Sequence, residues 1–201
     1  MSYGSARVSQ TRVALWYALL PREGVDARNR RQFIGTLVSS NLLAQQARLS
    51  QDAARDPVVQ RAIALGRTYE AKYRGCAQAV IAALQDAVSF VSKSQELYMA
   101  GGCLHGGATA TRNANCGAFT GAGIVIGSLC GRRREQVADP EAGQLCTTLV
   151  RRVAARFEQT YGSVLCKDVR AKAQQQCAEV VGRAAGWAAE VILEQFGGKH
   201  T

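Results

Sequence analysis

Four of the seven cysteines in this chain of 201 residues, Cys76, Cys116, Cys166 and Cys177, stand beside glycine or at the ends of apolar stretches with helical periodicity. Thiols in the middle of a helix face are packing atoms, whereas thiols at helix ends can converge on a shared metal or redox centre. If these four converge, the ends of several helices must be gathered at one side of the fold. A cysteine at a helix start also meets the positive end of the peptide dipole and free amide donors. Its thiolate is thereby expected to be favoured.

The segment Asn115-Cys116-Gly117-Ala118-Phe119-Thr120-Gly121-Ala122-Gly123 follows the loop Gly101-Gly102-Cys103-Leu104-His105-Gly106-Gly107. Residues 75–84, Gly-Cys-Ala-Gln-Ala-Val-Ile-Ala-Ala-Leu, again open a helix with a cysteine, Cys76, and Cys166 and Cys177 follow further on. The order Cys76, then Cys116-Gly117-Ala118 with Gly121, then Cys166 and Cys177, resembles the C_GCAxxG_C_C family of redox-active proteins over roughly residues 70–195. Split-Soret cytochromes c look like haem-bearing relatives of that family. The resemblance implies an all-α domain whose Cys76, Cys116, Cys166 and Cys177 form a redox centre, an iron-sulfur cluster working in electron transfer. It also implies a homodimer. The chain contains no Cys-x-x-Cys-His, so covalent c-type haem attachment is not expected.

Composition agrees with helices. Alanine is abundant, there are only 3 prolines, and alternating β-branched runs are scarce. The expected architecture is all-α, an antiparallel bundle of about five to six helices with the cysteine-bearing ends at one side. Asp56-Pro57 is a helix start, aspartate as N-cap and proline in the first turn, and predicts a helix over 57–72 with Val58, Ala62, Leu65 and Tyr69 facing inward. A second helix follows Gly75 with Cys76, Val80, Ala83, Leu84 and Ala87 inside. Ser94 caps a short helix, residues 101–115 form a glycine-rich loop, and 117–130 is a small-residue helix. Asp139-Pro140 opens a helix over about 140–161, and a last helix covers about 170–196 and carries Cys177. Gly117 and Gly121 cost about 1 kcal/mol each in helix propensity relative to alanine. Such a cost implies close approach, either of a cofactor bound at Gly117 and Gly121 or of another helix.

The domain organisation reads as an N-terminal extension, 1–47, and a cysteine-containing helical redox domain, 48–201. In the extension, Arg30-Arg31-Gln32-Phe33-Ile34 and the mildly apolar run after it resemble a twin-arginine export signal, which implies a periplasmic or otherwise exported protein. The competing reading is an amphipathic helix packed on the body of a cytoplasmic protein. The run is too short to span a bilayer, and no transmembrane segment is expected.

The formal net charge is +10, of which the six arginines and two acids of residues 1–47 contribute +4. Nucleic-acid binding is not expected, because the basic residues alternate with acids on helices and no aromatic stacking platform accompanies them. The one compact cluster, Arg132-Arg133-Arg134, follows Gly131 at a helix end and reads as a solvated cap. Two histidines, His105 and His200, are too few and too scattered to assemble a hydrolase triad. No conventional catalytic set is assigned.

Cys146 lies inside a helix on an apolar stripe and reads as core, and Cys130, which closes the glycine helix before Gly131, reads as a buried structural thiol. Cys103 and His105 share a loop and could add a resolving thiol or a further ligand. The four remaining cysteines suffice for an iron-sulfur cluster, with an unidentified redox partner protein receiving the electrons. The same four serve equally in two other readings. One is a thiol-disulfide protein, in which Cys116 attacks and Cys166 or Cys177 resolves. The other is a non-catalytic helical accessory subunit of a redox complex.

Overall fold

The computed structural model describes residues 56–199; the extension 1–47, with its twin-arginine motif, and His200 lie outside them. Among the described residues there are seven α-helices and no strand: α1 Pro57–Tyr73, α2 Cys76–Ala87, α3 Gln95–Ala100, α4 Gly117–Cys130, α5 Gln144–Tyr161, α6 Cys166–Lys172 and α7 Cys177–Phe196. The all-α expectation holds, and no described helix is long and apolar enough to cross a membrane. Local chemistry sets two of the starts. Asp56 accepts a hydrogen bond from the Val58 amide at 2.7 Å ahead of Pro57, and Ser94 accepts one from the Leu97 amide at 3.0 Å. Each cap contributes about 1 kcal/mol.

Two boundaries differ from expectation, each for a local reason. The Asp139 carboxylate accepts the Glu141 amide at 2.9 Å, so Asp139-Pro140 closes a turn and not a helix. The helix α5 begins only after Gly143, whose φ of 86° cannot continue backwards into a right-handed helix. The expected last helix is two helices, because Gln174 and Gln175 are left-handed at φ 49° and 64°. That break makes Cys177 the first residue of α7, where a position inside a helix was expected.

The centre of the fold is α7, which packs on α1, α2, α4 and α5. Its middle is enclosed over most of its circumference, with Val180, Val181, Ala184, Ala185, Ala188, Ala189 and Ile192 buried, while Arg183 keeps one edge at the surface. Small residues bring α1 close to it. A Cβ placed on Gly66 would lie 3.1 Å from the Val181 carbonyl oxygen and 3.2 Å from the Gly182 Cα. This contact rotates α1 relative to the expected stripe: Val59, Ala62 and Gly66 are fully buried, while Val58, Leu65 and Tyr69 flank them half-buried. On the far side Phe157 of α5 meets Phe119, Tyr161 and Trp187 at ring-centroid distances of 5.6, 5.6 and 5.3 Å. Such edge contacts add about 0.5–1.5 kcal/mol per pair beyond burial. Buried Glu190 of α7 pairs with Arg156 of α5 at 3.4 Å, and Glu194 pairs with Arg152 one turn on.

The helix α4 meets α2 at backbone distance. A Cβ on Gly121 would lie 2.4 Å from the Ala77 carbonyl oxygen, whereas one on Gly127 would meet nothing within 4 Å. Two substitutions in one helix should therefore have opposite signs. Gly121→Ala forces backbone apart and should lower stability by about 1–3 kcal/mol. Gly127→Ala should raise it by about 0.5–1 kcal/mol through helix propensity alone. Urea unfolding of both variants reads the two signs directly.

Candidate functional site

Four helix starts point at one cavity. Cys76, Cys166 and Cys177 are the first residues of α2, α6 and α7, and Cys116 is the N-cap of α4. All four line a cavity of about 200 Å³, together with Glu70, Arg74, His105, Arg112 and Arg170 among others. Cys116 and Cys166 are buried at 6 and 7 % exposure, and Cys76 and Cys177 are half-buried. The sulfurs feel one another: the charge of Cys76 would act on Cys116, and those of Cys166 and Cys177 on Cys76.

Backbone links fix these positions. The Cys116 amide donates to the Val164 carbonyl at 2.8 Å and the Cys166 amide to the Ala114 carbonyl at 3.0 Å, around an antiparallel bridge between Asn115 and Leu165. Lys167 donates to the Arg112 carbonyl at 3.1 Å, tying the glycine-rich loop to the start of α6. That loop carries consecutive left-handed residues, Ala108, Thr109 and Ala110, at φ 56°, 51° and 63°. For a β-branched residue such as Thr109 this is an unusual backbone. Strain of this kind, about 1–3 kcal/mol per residue, gathers at functional sites. Gly107, at φ +69°, fits between Cys166 and Arg112; a Cβ there would lie 2.7 Å from the Cys166 Cβ.

Gly117 and Gly121 do not line the cavity. A Cβ on Gly117 would lie 2.5 Å from the Cys76 Sγ, so its bareness seats that sulfur, and Gly121 admits the Ala77 backbone. Cys103 is exposed and outside the cavity lining. His105 is in the lining, with its Nδ1 3.2 Å from the Gly102 carbonyl oxygen. Glu70, Arg74, Arg112 and Arg170 were not singled out from the sequence, where they are ordinary charges in ordinary helices and loops. The one available signal was that Arg170 stands one turn after Cys166. Glu70 carries a buried Oε2 without a hydrogen-bond partner, and its desolvation holds the carboxyl above its usual range.

The thiolate expectation is corrected by burial. The Ala118 and Phe119 amides do favour the Cys116 thiolate, and the Gly106 amide that of Cys76. Desolvation is the larger effect, and it pushes Cys76 up to about 11 and Cys116 up to about 12. Cys166 and Cys177 are also raised by desolvation, with Arg170 and Arg112 opposing it. In the bare cavity, therefore, the thiols hold their protons. Among the described residues, no three His, Cys, Asp or Glu side chains are grouped so as to hold a single metal ion.

A consequence is alkaline sensitivity. Cys116 keeps its proton to about 12 when folded, against an ordinary 9.0, so above that ordinary value the folded chain binds more protons than the unfolded one. The corresponding stability is fully present below the unfolded pKa and is lost as pH rises toward the folded one. In metal-free protein, stability should fall as pH rises from about 9 toward about 12, and Cys116→Ala should flatten that decline. Parallel wild-type and variant slopes in denaturant titrations would contradict the assignment.

Comparison with known proteins follows this geometry. A family model described as "Putative redox-active protein (C_GCAxxG_C_C)" matches residues 75–191, more than half of the chain and a span that includes all four cavity cysteines. No curated protein and no solved structure matches the chain. With its helices opening on Cys76, Cys116, Cys166 and Cys177, the chain belongs to the C_GCAxxG_C_C family of redox-active proteins.

Proposed function

We propose that the protein is a one-electron carrier in which Cys76, Cys116, Cys166 and Cys177 hold an iron-sulfur cluster. The observation that carries this reading is the convergence of four cysteine-bearing helix starts on one small cavity. Four cysteines are the usual ligand set of such clusters and would be shared among more than one iron, so the sulfurs need not crowd around one ion. A volume of about 200 Å³ suits a compact inorganic group. It lies below the roughly 300–1,000 Å³ typical of sites for drug-sized organic ligands.

When bound, the cluster supplies reversible one-electron transfer at a potential tuned by its surroundings. The residues of the chain do the tuning. The amides of Gly106, Ala118 and Phe119 face the sulfurs of Cys76 and Cys116 and stabilise added negative charge. Arg112 and Arg170 act in the same direction on Cys166 and Cys177. Burial of Cys116 and Cys166 keeps water from the sulfurs. Exposed Arg74 and Arg112 stand in the cavity wall and suit an acidic face on the partner protein that gives or takes the electron.

Thiol-disulfide exchange uses the same residues with less support, since a thiol held protonated to about 12 is a poor attacking group at neutral pH. Anaerobic purification separates the two. Full-length protein should be brown, with iron and acid-labile sulfide in equal amounts. Cys116→Ala and Cys177→Ala should lose both, and Cys103→Ala should keep them. Arg170→Gln should shift the reduction potential to a more negative value. Colourless, iron-free wild-type protein after anaerobic reconstitution with iron and sulfide would overturn the proposal.

A further inference from the structure

Two thiols outside the cavity also meet. Cys130 is the last residue of α4 and Cys146 the third residue of α5, and the loop 131–143 between them folds back on itself. Arg132 lies against Gly143, where a Cβ would come within 3.3 Å of the Arg132 Cβ, so the two ends of the loop are in contact. The helices that carry them pack on each other, Cys146 is a close enough neighbour to act with burial in raising the Cys130 thiol, and Cys130 donates to the Ile126 carbonyl at 3.4 Å. Both pack on the edge of the core yet remain half-exposed, and neither lines the four-cysteine cavity. The loop beside them is mostly exposed, so a small reagent can approach from that side.

We propose that Cys130 and Cys146 are a dithiol couple, separate from the four cavity cysteines and converted to an intrachain disulfide by exchange with a low-molecular-weight disulfide. The Cys146 thiolate attacks a sulfur of the oxidant, forming a mixed disulfide and expelling one small thiolate; Cys130, whose thiol burial pushes up to about 11, is the resolving partner. The other protein thiolate then attacks the protein sulfur of that mixed disulfide and expels the second. One S–S bond breaks in the oxidant and one forms in the protein. Two electrons pass to the oxidant, which leaves as two thiols carrying the protons of Cys130 and Cys146. The product closes a ring around loop 131–143 and fixes Arg132, Arg133 and Arg134, so the oxidation state of the couple governs how that basic cluster is presented.

The test uses the full chain, reduced and then equilibrated with glutathione mixtures from fully reduced to fully oxidised, quenched in acid, alkylated and digested with trypsin. As the mixture becomes oxidising, peptide 113–132 should become joined to peptide 135–151, with fragment ions placing the bond on Cys130 and not on Cys116. The joined peptide should vanish in Cys146→Ser and persist in Cys103→Ser. Separate alkylation of Cys130 and Cys146 across the whole range, or a bond from either to another cysteine, would overturn the proposal. The wild-type map decides even if Cys146→Ser fails to fold. Iron content does not enter the readout, so this couple and the cluster reading stand or fall separately.

Discussion

The approach of α2 to α4 at backbone distance is the contact on which the site depends. Gly117 and Gly121 leave no side chain between the two helices, so the Ala77 carbonyl and the Cys76 sulfur settle directly on α4. With a methyl group at either position, the start of α2 would stand off from the start of α4, and Cys76 would part from Cys116. The cavity owes its small volume to the same closeness. The helix α7, closely fitted to α1 through Gly66 and Gly182, supplies the fixed wall from which Cys177 projects.

Within that frame two electrostatic effects oppose each other. Helix starts and nearby arginines favour negative sulfur; burial disfavours it more strongly. A buried acid prefers its neutral form unless a counter-charge shares its space. The cavity therefore has the character of a site made for an occupant: uncomfortable for four bare thiolates, yet lined with amides and guanidinium groups where negative charge would sit. The unpartnered Oε2 of Glu70 belongs to the same wall.

Much of this was legible in the order of residues. Asp56-Pro57 and Ser94 announced helix starts through capping chemistry that acts over three residues. The position of cysteines beside glycine announced that four of them would gather at one place, and they line one cavity. What escaped depended on contacts distant in sequence or on backbone choices that side chains do not advertise. Gln174 and Gln175 adopt left-handed conformations although glutamine is a good helix former, so the break before Cys177 carried no local signal. Asp139 spends its carboxylate on Glu141 and forms a turn where an N-cap was expected. The buried stripe of α1 follows Gly66, a residue that apolar periodicity passes over. The balance between dipole and desolvation at Cys116 could be struck only once burial was known.

The bridge between Asn115 and Leu165 joins the segments that enter α4 and α6, and the amides of Cys116 and Cys166 are both committed to its hydrogen bonds. Two of the sulfurs thus hang from a single clasp of main chain, unable to drift independently. In the electron carrier proposed above, such a clasp would keep the reorganisation energy of the polypeptide small, and traffic of electrons is fastest where the surroundings have least to rearrange.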